Sequence, residues 1–288
     1  MPPWLKRPIA FTGRKAFVEE SVSRAGLHTV CREAKCPNRA QCHARGTATF
    51  LILGDVCTRH CRFCNVKSGV PKAVDPEESL RLCDAALGMG LHHVVVTSVT
   101  RDDLPDGGAE MFADTVHALR KRMAKVTIEL LVPDFRGDEK ALATVIESGP
   151  DIFSHNIETV PRLYEHVRPQ ASYERSLYLL AKAANRHRAP LIKSGLMVGL
   201  GERAGEVENT MIDLKKSGCS LLTIGQYLQP STGQTPVVEF ITPDMFRWYE
   251  GRGKELGFFN VVAGPYVRSS YKANEMIEEK NDDAIFHA

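Results

Sequence analysis

The segment TFLILGDVCTRHCRFC, residues 49–64, joins an apolar run to three cysteines and contains the pattern that decides the fold. Its first six residues, TFLILG, are mostly apolar, which is typical of a strand buried on both faces of a parallel sheet. Five further runs of this kind follow: HHVVVTS (92–98), VTIELLV (126–132), DIFSHNI (151–157), KSGLMVG (193–199) and SLLTIGQ (220–226). Six strands separated by helical patterns predict an α/β fold, a partial (β/α)6 barrel of the TIM type, because a full barrel needs eight such units.

Amphipathic patterns lie between these strands. Two predicted helices have one apolar face each, formed by Leu80, Cys83 and Leu87 in the first and by Tyr173, Leu177, Leu180 and Ala184 in the second. Residues 1–48 and 242–288 do not follow the alternation. They predict N- and C-terminal extensions that close the mouth of a barrel spanning residues 49–241.

Composition and charge narrow the class of protein. The chain has 288 residues, 43% of them apolar and 25% charged, which is ordinary for a soluble protein. A net charge of only +2 argues against a nucleic-acid-binding protein, whose basic residues would dominate. The sequence contains neither an apolar run long enough to cross a membrane nor the apolar core of a secretory signal, so we expect a cytoplasmic protein. In a reducing compartment, closely spaced cysteines more often bind metal than form disulfides.

Six of the eight cysteines fall into two groups of three. The second trio, Cys57, Cys61 and Cys64, has the spacing C-x3-C-x2-C and directly follows the first predicted strand. Three thiolates in one short loop can hold three irons of a four-iron, four-sulfur cluster and leave the fourth iron open for a cofactor. The alternative, a structural zinc site, requires four closed ligands, and one trio does not supply them.

The first trio, Cys31, Cys36 and Cys42, has the spacing C-x4-C-x5-C. It suits a second cluster of the same type but has no fourth ligand close in sequence. Cys83 and Cys219 could ligate iron on chemical grounds. However, their apolar settings in a predicted helix and strand favour core positions.

The second trio, with the aromatic Phe63 before its last cysteine, resembles the signature of the radical S-adenosylmethionine (SAM) superfamily. The segment GLMVGLGE, with Gly195, Gly199 and Glu202, resembles the G-x-I-x-G-x-x-E element found at the fifth strand of many of its members. The resemblance implies that the open iron binds SAM and that a 5′-deoxyadenosyl radical is formed. Asn156, Glu158 and Arg168, near a strand end, are candidate contacts of SAM or substrate, with structural roles as the alternative, and Gly195, Gly199 and Glu202 are further candidates for cofactor binding.

The two trios together resemble the lipoyl synthase family in particular. So do RSSY (268–271) and several other stretches: GLHTVC (26–31), RDDLPDGGA (101–109), HNIETVPRLY (155–164), VRP (167–169) and QYLQPS (226–231). In one departure, Gln234 stands where that family often has histidine, which bears on substrate contacts in its loop. From spacing alone, residues 268–271 would be read as a segment that docks the C-terminal tail. The resemblance instead makes Ser270 the fourth ligand of the cluster at the first trio.

The resemblance implies a sulfurtransferase with two four-iron, four-sulfur clusters and SAM as cofactors. Two sulfur atoms from the auxiliary cluster would be inserted at C6 and C8 of a protein-bound N6-octanoyl-lysine to give lipoyl-lysine. The expected partners are an octanoylated carrier protein, either a lipoyl domain or an H protein, and an electron donor such as ferredoxin or flavodoxin. Two alternatives stay open: another radical SAM enzyme with an auxiliary cluster, such as a methylthiotransferase or peptide-modifying enzyme, and a zinc-stabilised binding module.

Overall fold

A computed structural model describes residues 2–6, 13–187, 189–271 and 273–278, so the outermost parts of both predicted extensions lie outside the described residues. Its strands are β1 (His28–Thr29), β2 (Thr49–Ile52), β3 (Val56–Cys57), β4 (Lys67–Ser68), β5 (His93–Ser98), β6 (Thr127–Leu131), β7 (Ile152–Ser154), β8 (Leu191–Val198), β9 (Leu221–Gln226) and β10 (Asn260–Gly264).

The helices surround this strand series. They are α1 (Gly13–Arg24), α2 (Val30–Glu33), α3 (Arg39–Ala44), α4 (Glu78–Gly88), α5 (Ala109–Arg122), α6 (Glu139–Glu147), α7 (Tyr164–Val167), α8 (Tyr173–Ala184), α9 (Ala204–Lys216), α10 (Pro243–Glu255) and α11 (Glu275–Glu278). Short 3-10 helices occupy Pro3–Leu5, Phe135–Gly137 and Pro161–Leu163.

One large sheet organises the described part of the chain, in the order β1-β2-β5-β6-β7-β8-β9-β10. All neighbouring pairs are parallel except β1 with β2. Each of the six predicted strands corresponds to one strand of this sheet, which confirms the α/β fold. Strands β3 and β4 form a separate two-stranded ribbon that includes Cys57.

The sheet has two strands more than the six predicted, β1 at one edge and β10 at the other. Our expectation that residues after 242 leave the alternation is wrong, because α10 and β10 continue it and β10 pairs in parallel with β9. Thr242 begins α10 by accepting a hydrogen bond from the Met245 amide, with proline in the first turn. Strand β10 lies at the edge of the sheet, where only Val261 and Gly264 are buried, although its segment FFNVVAG (258–264) is largely apolar.

The buried face of α4 also differs from the prediction. Cys83 is fully buried, but Leu80 and Leu87 are 51% and 46% exposed. Leu82, Ala86 and Met89, spaced i, i+4 and i+7, form the buried side instead. The two sets of residues lie on different sides of the same helix, and packing against α5 and α1 determined which one is covered. Cys83 and Cys219 are core residues, as predicted.

Two apolar cores pack against the sheet. The larger one joins the sheet to the helices and includes the fully buried Phe50, Phe112 and Phe153, each of which stabilises the fold by about 1.5–3 kcal/mol. The smaller one contains Ile152, Leu221 and Met276, and so connects β7 and β9 to the C-terminal segment.

Candidate active site

The second trio lies at the carboxyl end of β2, where the loop of residues 57–64 begins. The Cys57 sulfur accepts hydrogen bonds from the backbone amides of Thr100 (3.3 Å) and Arg59 (3.4 Å), and the Cys64 sulfur accepts one from the Val66 amide (3.5 Å). Burial raises the pKa of the Cys64 thiol to about 12, and the nearby thiols of Cys61 and Cys57 add to this rise. Three neighbouring thiols can all lose their protons only where a positive group, such as the iron atoms of an iron–sulfur cluster, lies between their sulfurs.

An ion-pair network attaches the cysteine loop to the strand ends beside it. Arg59, only 6% exposed, forms a two-pronged contact with Asp102 (2.7 and 2.8 Å) and a third bond to Asp134 (2.7 Å). Arg175 bonds the other oxygen of Asp134 at 3.1 Å. Asp102 belongs to the RDDLPDGGA stretch and Asp134 follows β6. The network therefore fixes the loop relative to two neighbouring strands.

The opposite side of the loop is held by backbone contacts. The Arg62 amide donates to the Val167 carbonyl (2.9 Å), and the His60 amide donates to the Gln170 side chain (2.9 Å). The Gln234 side chain donates to the Cys64 carbonyl at 3.2 Å. The residue that departs from the family pattern thus contacts the cysteine loop directly.

Asn156, Glu158 and Arg168 gather beside the second trio. Burial raises the pKa of the Cys61 thiol, the charge of Arg168 offsets part of this rise, and the charge of Glu158 adds to it. Arg168 Nη1 donates to the Asn156 carbonyl (3.0 Å), but its Nε and the Asn156 Oδ1 atom are buried without a partner. A ligand that carries both a carboxylate and an amino group could form hydrogen bonds with this buried donor and this buried acceptor.

Gly195 leaves room for this group, whereas Gly199 and Glu202 serve the loop after β8. A Cβ on Gly195 would lie 2.6 Å from Asn156 Oδ1. Gly199 has a positive φ of 102°, and a Cβ there would meet the Glu239 carbonyl at 2.5 Å. The Glu202 carboxylate accepts hydrogen bonds from the amides of Gly199 and Leu200. Gly199 thus packs against the segment around Glu239, and Glu202 binds amides of its own loop.

The first trio lines a cavity of about 950 Å³ at the other end of the sheet. Besides the three cysteines, the wall includes residues that begin parallel strands: Thr49, His93, Thr127, Ile152 and Leu191. Burial raises the pKa of the Cys42 thiol to about 12, and Cys31 and Cys36 are near enough to raise it further. The expectation that the extensions close the barrel mouth is wrong for these residues, because they enclose the amino ends of the strands instead.

The C-terminal segment brings Ser270 to this cavity. Asn38 donates to the Tyr266 carbonyl (2.6 Å), and Tyr271 donates to the Gln41 side chain (3.2 Å). Between these contacts, Ser270 lines the same cavity as the three cysteines and accepts a hydrogen bond from Thr49 at 2.8 Å. The segment therefore docks the tail and also places a serine oxygen beside the first trio.

The two donor sets can be compared with the ligand number of a four-iron cluster. Among the described residues, no three His, Cys, Asp or Glu side chains converge closely enough to hold one metal ion. A four-iron cluster places its ligands on separate corners, so its thiolates stand further apart than those around zinc. The second trio offers three such ligands and an open corner, and the first trio with Ser270 offers four.

Three residues of this arrangement were not singled out from the sequence: Thr49, Arg59 and Asp134. Arg59 lies inside the cysteine motif, and Thr49 begins the first predicted strand. The sequence therefore marks the segments of both residues but not their contacts. Their partners are 43 to 221 residues away, and no local pattern indicates such pairs. In the part of the chain that is described, no helix is long and apolar enough to cross a membrane.

Comparisons with known proteins agree with this geometry. The family model for the Radical SAM superfamily matches residues 51–214, more than half of the chain. The chain is 52% identical over 273 residues to the lipoyl synthase of Caldanaerobacter subterraneus subsp. tengcongensis, covering 95% of both chains. It is 49% identical over 284 residues to the lipoyl synthase of Rubrobacter xylanophilus, covering 99% of this chain and 88% of that one.

A solved structure supports the fold. The crystal structure of methylornithine synthase (PylB) superposes with a TM-score of 0.55 at 15% identity, covering 96% of this chain and 86% of that one. At this identity the match concerns the fold alone. The similarity to the lipoyl synthases, by contrast, extends along nearly the whole chain. This chain therefore belongs to the lipoyl synthase family of the radical SAM superfamily.

Proposed function

We propose that this chain is a lipoyl synthase, a sulfurtransferase that inserts two sulfur atoms at C6 and C8 of a protein-bound N6-octanoyl-lysine. The observation that carries the proposal is the presence of two cysteine trios at opposite ends of one parallel sheet, with Ser270 joining the first trio. A radical generator and a sulfur donor need separate sites, and the two trios supply two.

The second trio would hold the cluster that binds SAM. When bound, this cluster and SAM supply a 5′-deoxyadenosyl radical, which can remove hydrogen from a saturated carbon that has no acidic proton. The amides of Thr100, Arg59 and Val66 favour the thiolate form of the ligands. Arg59 keeps the loop in place through Asp102 and Asp134.

The unpartnered atoms beside Cys61 would orient SAM. Arg168 Nε is a charged donor suited to a carboxylate, and Asn156 Oδ1 is an acceptor suited to an amino group. Gly195 provides the space that Asn156 occupies. Glu158 lies beside both and adds a second acceptor for a cationic group. We assign Gly199 and Glu202 to the support of this region through the β8–α9 loop.

Cys31, Cys36, Cys42 and Ser270 would hold the auxiliary cluster, the source of the inserted sulfur. Serine oxygen is a hard ligand in a setting that favours soft thiolate, so the iron at Ser270 would be the least firmly bound. A cluster that is consumed during the reaction comes apart more easily if one of its iron atoms is weakly bound. The cavity around the first trio has room for such a group.

The partners follow from the reaction. The substrate would be an octanoylated carrier, a lipoyl domain or an H protein, and electrons would come from a donor such as ferredoxin or flavodoxin. Both belong to the cytoplasm, where we place the enzyme. Membership in the radical SAM superfamily excludes a zinc-stabilised binding module.

The test is a reaction under anaerobic conditions. Reconstituted protein, SAM and a reductant are incubated with an octanoylated lipoyl-domain peptide, and the products are identified by mass spectrometry. We expect about eight irons per chain, for two four-iron clusters, and a peptide that carries two added sulfur atoms. A methylthiolated or cross-linked peptide, or none that contains new sulfur, would contradict the proposal.

A further inference from the structure

Thr49 contacts one proposed ligand of the auxiliary cluster. Its hydroxyl donates to the Ser270 oxygen at 2.8 Å, across 221 residues of sequence. Thr49 also lines the same cavity as Ser270 and the three cysteines of the first trio. The hydroxyl hydrogen of Thr49 is therefore directed at the fourth proposed ligand.

The position of Thr49 is determined by the sheet. It begins β2, is 6% exposed, and stands opposite Val95 in the parallel register of β2 and β5. The next residue, Phe50, is fully buried in the larger core. The hydroxyl is therefore held on a rigid element at the cavity wall, whereas Ser270 belongs to a segment without regular structure. Because the donor is fixed on the strand, its hydrogen bond can hold the serine oxygen of the loop in one orientation.

A hydrogen bond to a ligand atom also withdraws electron density from it. A ligand that donates less charge to iron makes the cluster easier to reduce, and hydrogen bonds to ligand atoms are among the features that set cluster potentials. When bound, the cluster would supply the sulfur for each new C–S bond, and the electron released as a carbon radical forms that bond would reduce its iron atoms. A cluster that is easier to reduce would favour this chemistry.

We propose that Thr49 is a positioning residue of the auxiliary site. Its hydroxyl fixes the Ser270 oxygen as fourth ligand and raises the reduction potential of the cluster bound by the first trio and Ser270. The inference rests on the proposed function, since it requires a cluster at this site.

The test uses the full chain with Cys57→Ala, Cys61→Ala and Cys64→Ala, so that only the auxiliary cluster is present. Thr49→Val removes the hydroxyl and keeps the shape, whereas Thr49→Ser keeps the hydroxyl. Reduction is followed by electron paramagnetic resonance during a redox titration. We expect a lower midpoint potential and an altered spectrum in Thr49→Val, with both close to those of the parent in Thr49→Ser.

Thr97→Val is the matched control. Thr97 is also buried, on the neighbouring strand, and its hydroxyl donates to the Leu131 carbonyl at 2.7 Å, not to a proposed ligand. An unchanged potential in Thr49→Val, or an equal shift in Thr97→Val, would overturn the inference. If Thr49→Val loses iron while Thr49→Ser and Thr97→Val keep theirs, the result supports the positioning of Ser270 by Thr49. Equal loss of iron from all three variants would refute it.

Failure of the proposed function gives a different result. It would appear in the unsubstituted chain, as a single cluster or as a peptide without new sulfur. Should the unsubstituted chain form lipoyl groups while Thr49→Val keeps the parent potential, only the role of Thr49 would fall.

Discussion

Lys193 Nζ lies 2.9 Å from Glu129 Oε1 and 3.0 Å from Oε2, and neither side chain is exposed to solvent. The two residues stand on β8 and β6, so the pair reaches across β7. His93 Nε2 lies 3.4 Å from the same carboxylate. Lys193 and His93 keep the pKa of Glu129 low although burial alone would raise it. A charged cluster thus lies within the sheet, close to the cavity of the first trio.

Lys193→Met should lower the free energy of unfolding by about 3–5 kcal/mol, because it leaves a buried carboxylate without its partner. Urea denaturation of the reconstituted protein under anaerobic conditions measures this. The double variant Lys193→Met/Glu129→Leu is the control, and it should recover most of the loss because both charges are removed. A single variant as stable as the parent would show that the pair contributes nothing.

Arg59→Gln should release the cysteine loop from the ends of β5 and β6. We expect the iron content to fall from about eight to about four per chain, because the cluster at the second trio would be lost selectively. Arg162→Gln is the control, since Arg162 forms an exposed pair with Glu206 that contributes at most about 1 kcal/mol. Full iron content and normal SAM cleavage in Arg59→Gln would contradict this role for the ion-pair network.

Acid should destabilise the protein partly through Asp134. Burial raises the pKa of this carboxyl, but the bonds and charge of Arg59 outweigh burial and hold it well below its usual value of 3.8. A depressed carboxyl pKa adds stability above the unfolded-state value, and this stability is lost as the pH falls toward the folded-state value. The free energy of unfolding should therefore decrease below about pH 4. In Asp134→Asn this part of the decrease should disappear, and an unaltered pH profile would exclude Asp134 as its source.

Substitutions in the two trios should affect different steps, SAM cleavage for the second trio and sulfur insertion for the first. Cys57→Ala should abolish SAM cleavage, measured as 5′-deoxyadenosine by chromatography. Cys36→Ala should leave that cleavage in place and stop sulfur insertion, measured by mass spectrometry of the peptide. Cys83→Ala controls for the loss of a cysteine from the core and should retain both activities. Sulfur insertion that survives Cys36→Ala would refute the assignment of the first trio.

Ser270→Cys should strengthen the weak corner of the auxiliary cluster. A thiolate binds iron more firmly than serine oxygen does, so the variant should keep its iron longer against a chelator and form lipoyl groups more slowly. Ser269→Cys, at the adjacent position, controls for the added thiol. Lipoyl formation by Ser270→Cys at the rate of the parent would contradict a functional role for the hard serine ligand.

The sequence by itself determined the parallel sheet, the two trios and their spacing, because apolar runs and short cysteine motifs are local features. It also placed Cys83 and Cys219 in the core. Residues 260–264 were not predicted although they are largely apolar, and their pairing with β9 identifies them as a strand of the sheet. The buried side of α4 was misjudged because two sets of apolar residues were available on one helix, and only its neighbours decide between them.

Tertiary structure alone decided which distant groups meet. Without the fold, nothing connects Thr49 with Ser270, Arg59 with Asp134, or Lys193 with Glu129, since each pair is joined by the register of the sheet and the path of the chain ends. It also placed the first trio at the amino ends of the strands, opposite the second. The physical reason is that a cysteine motif specifies what a loop can bind, whereas the packed sheet specifies where that loop lies and which charges and hydroxyl groups surround it.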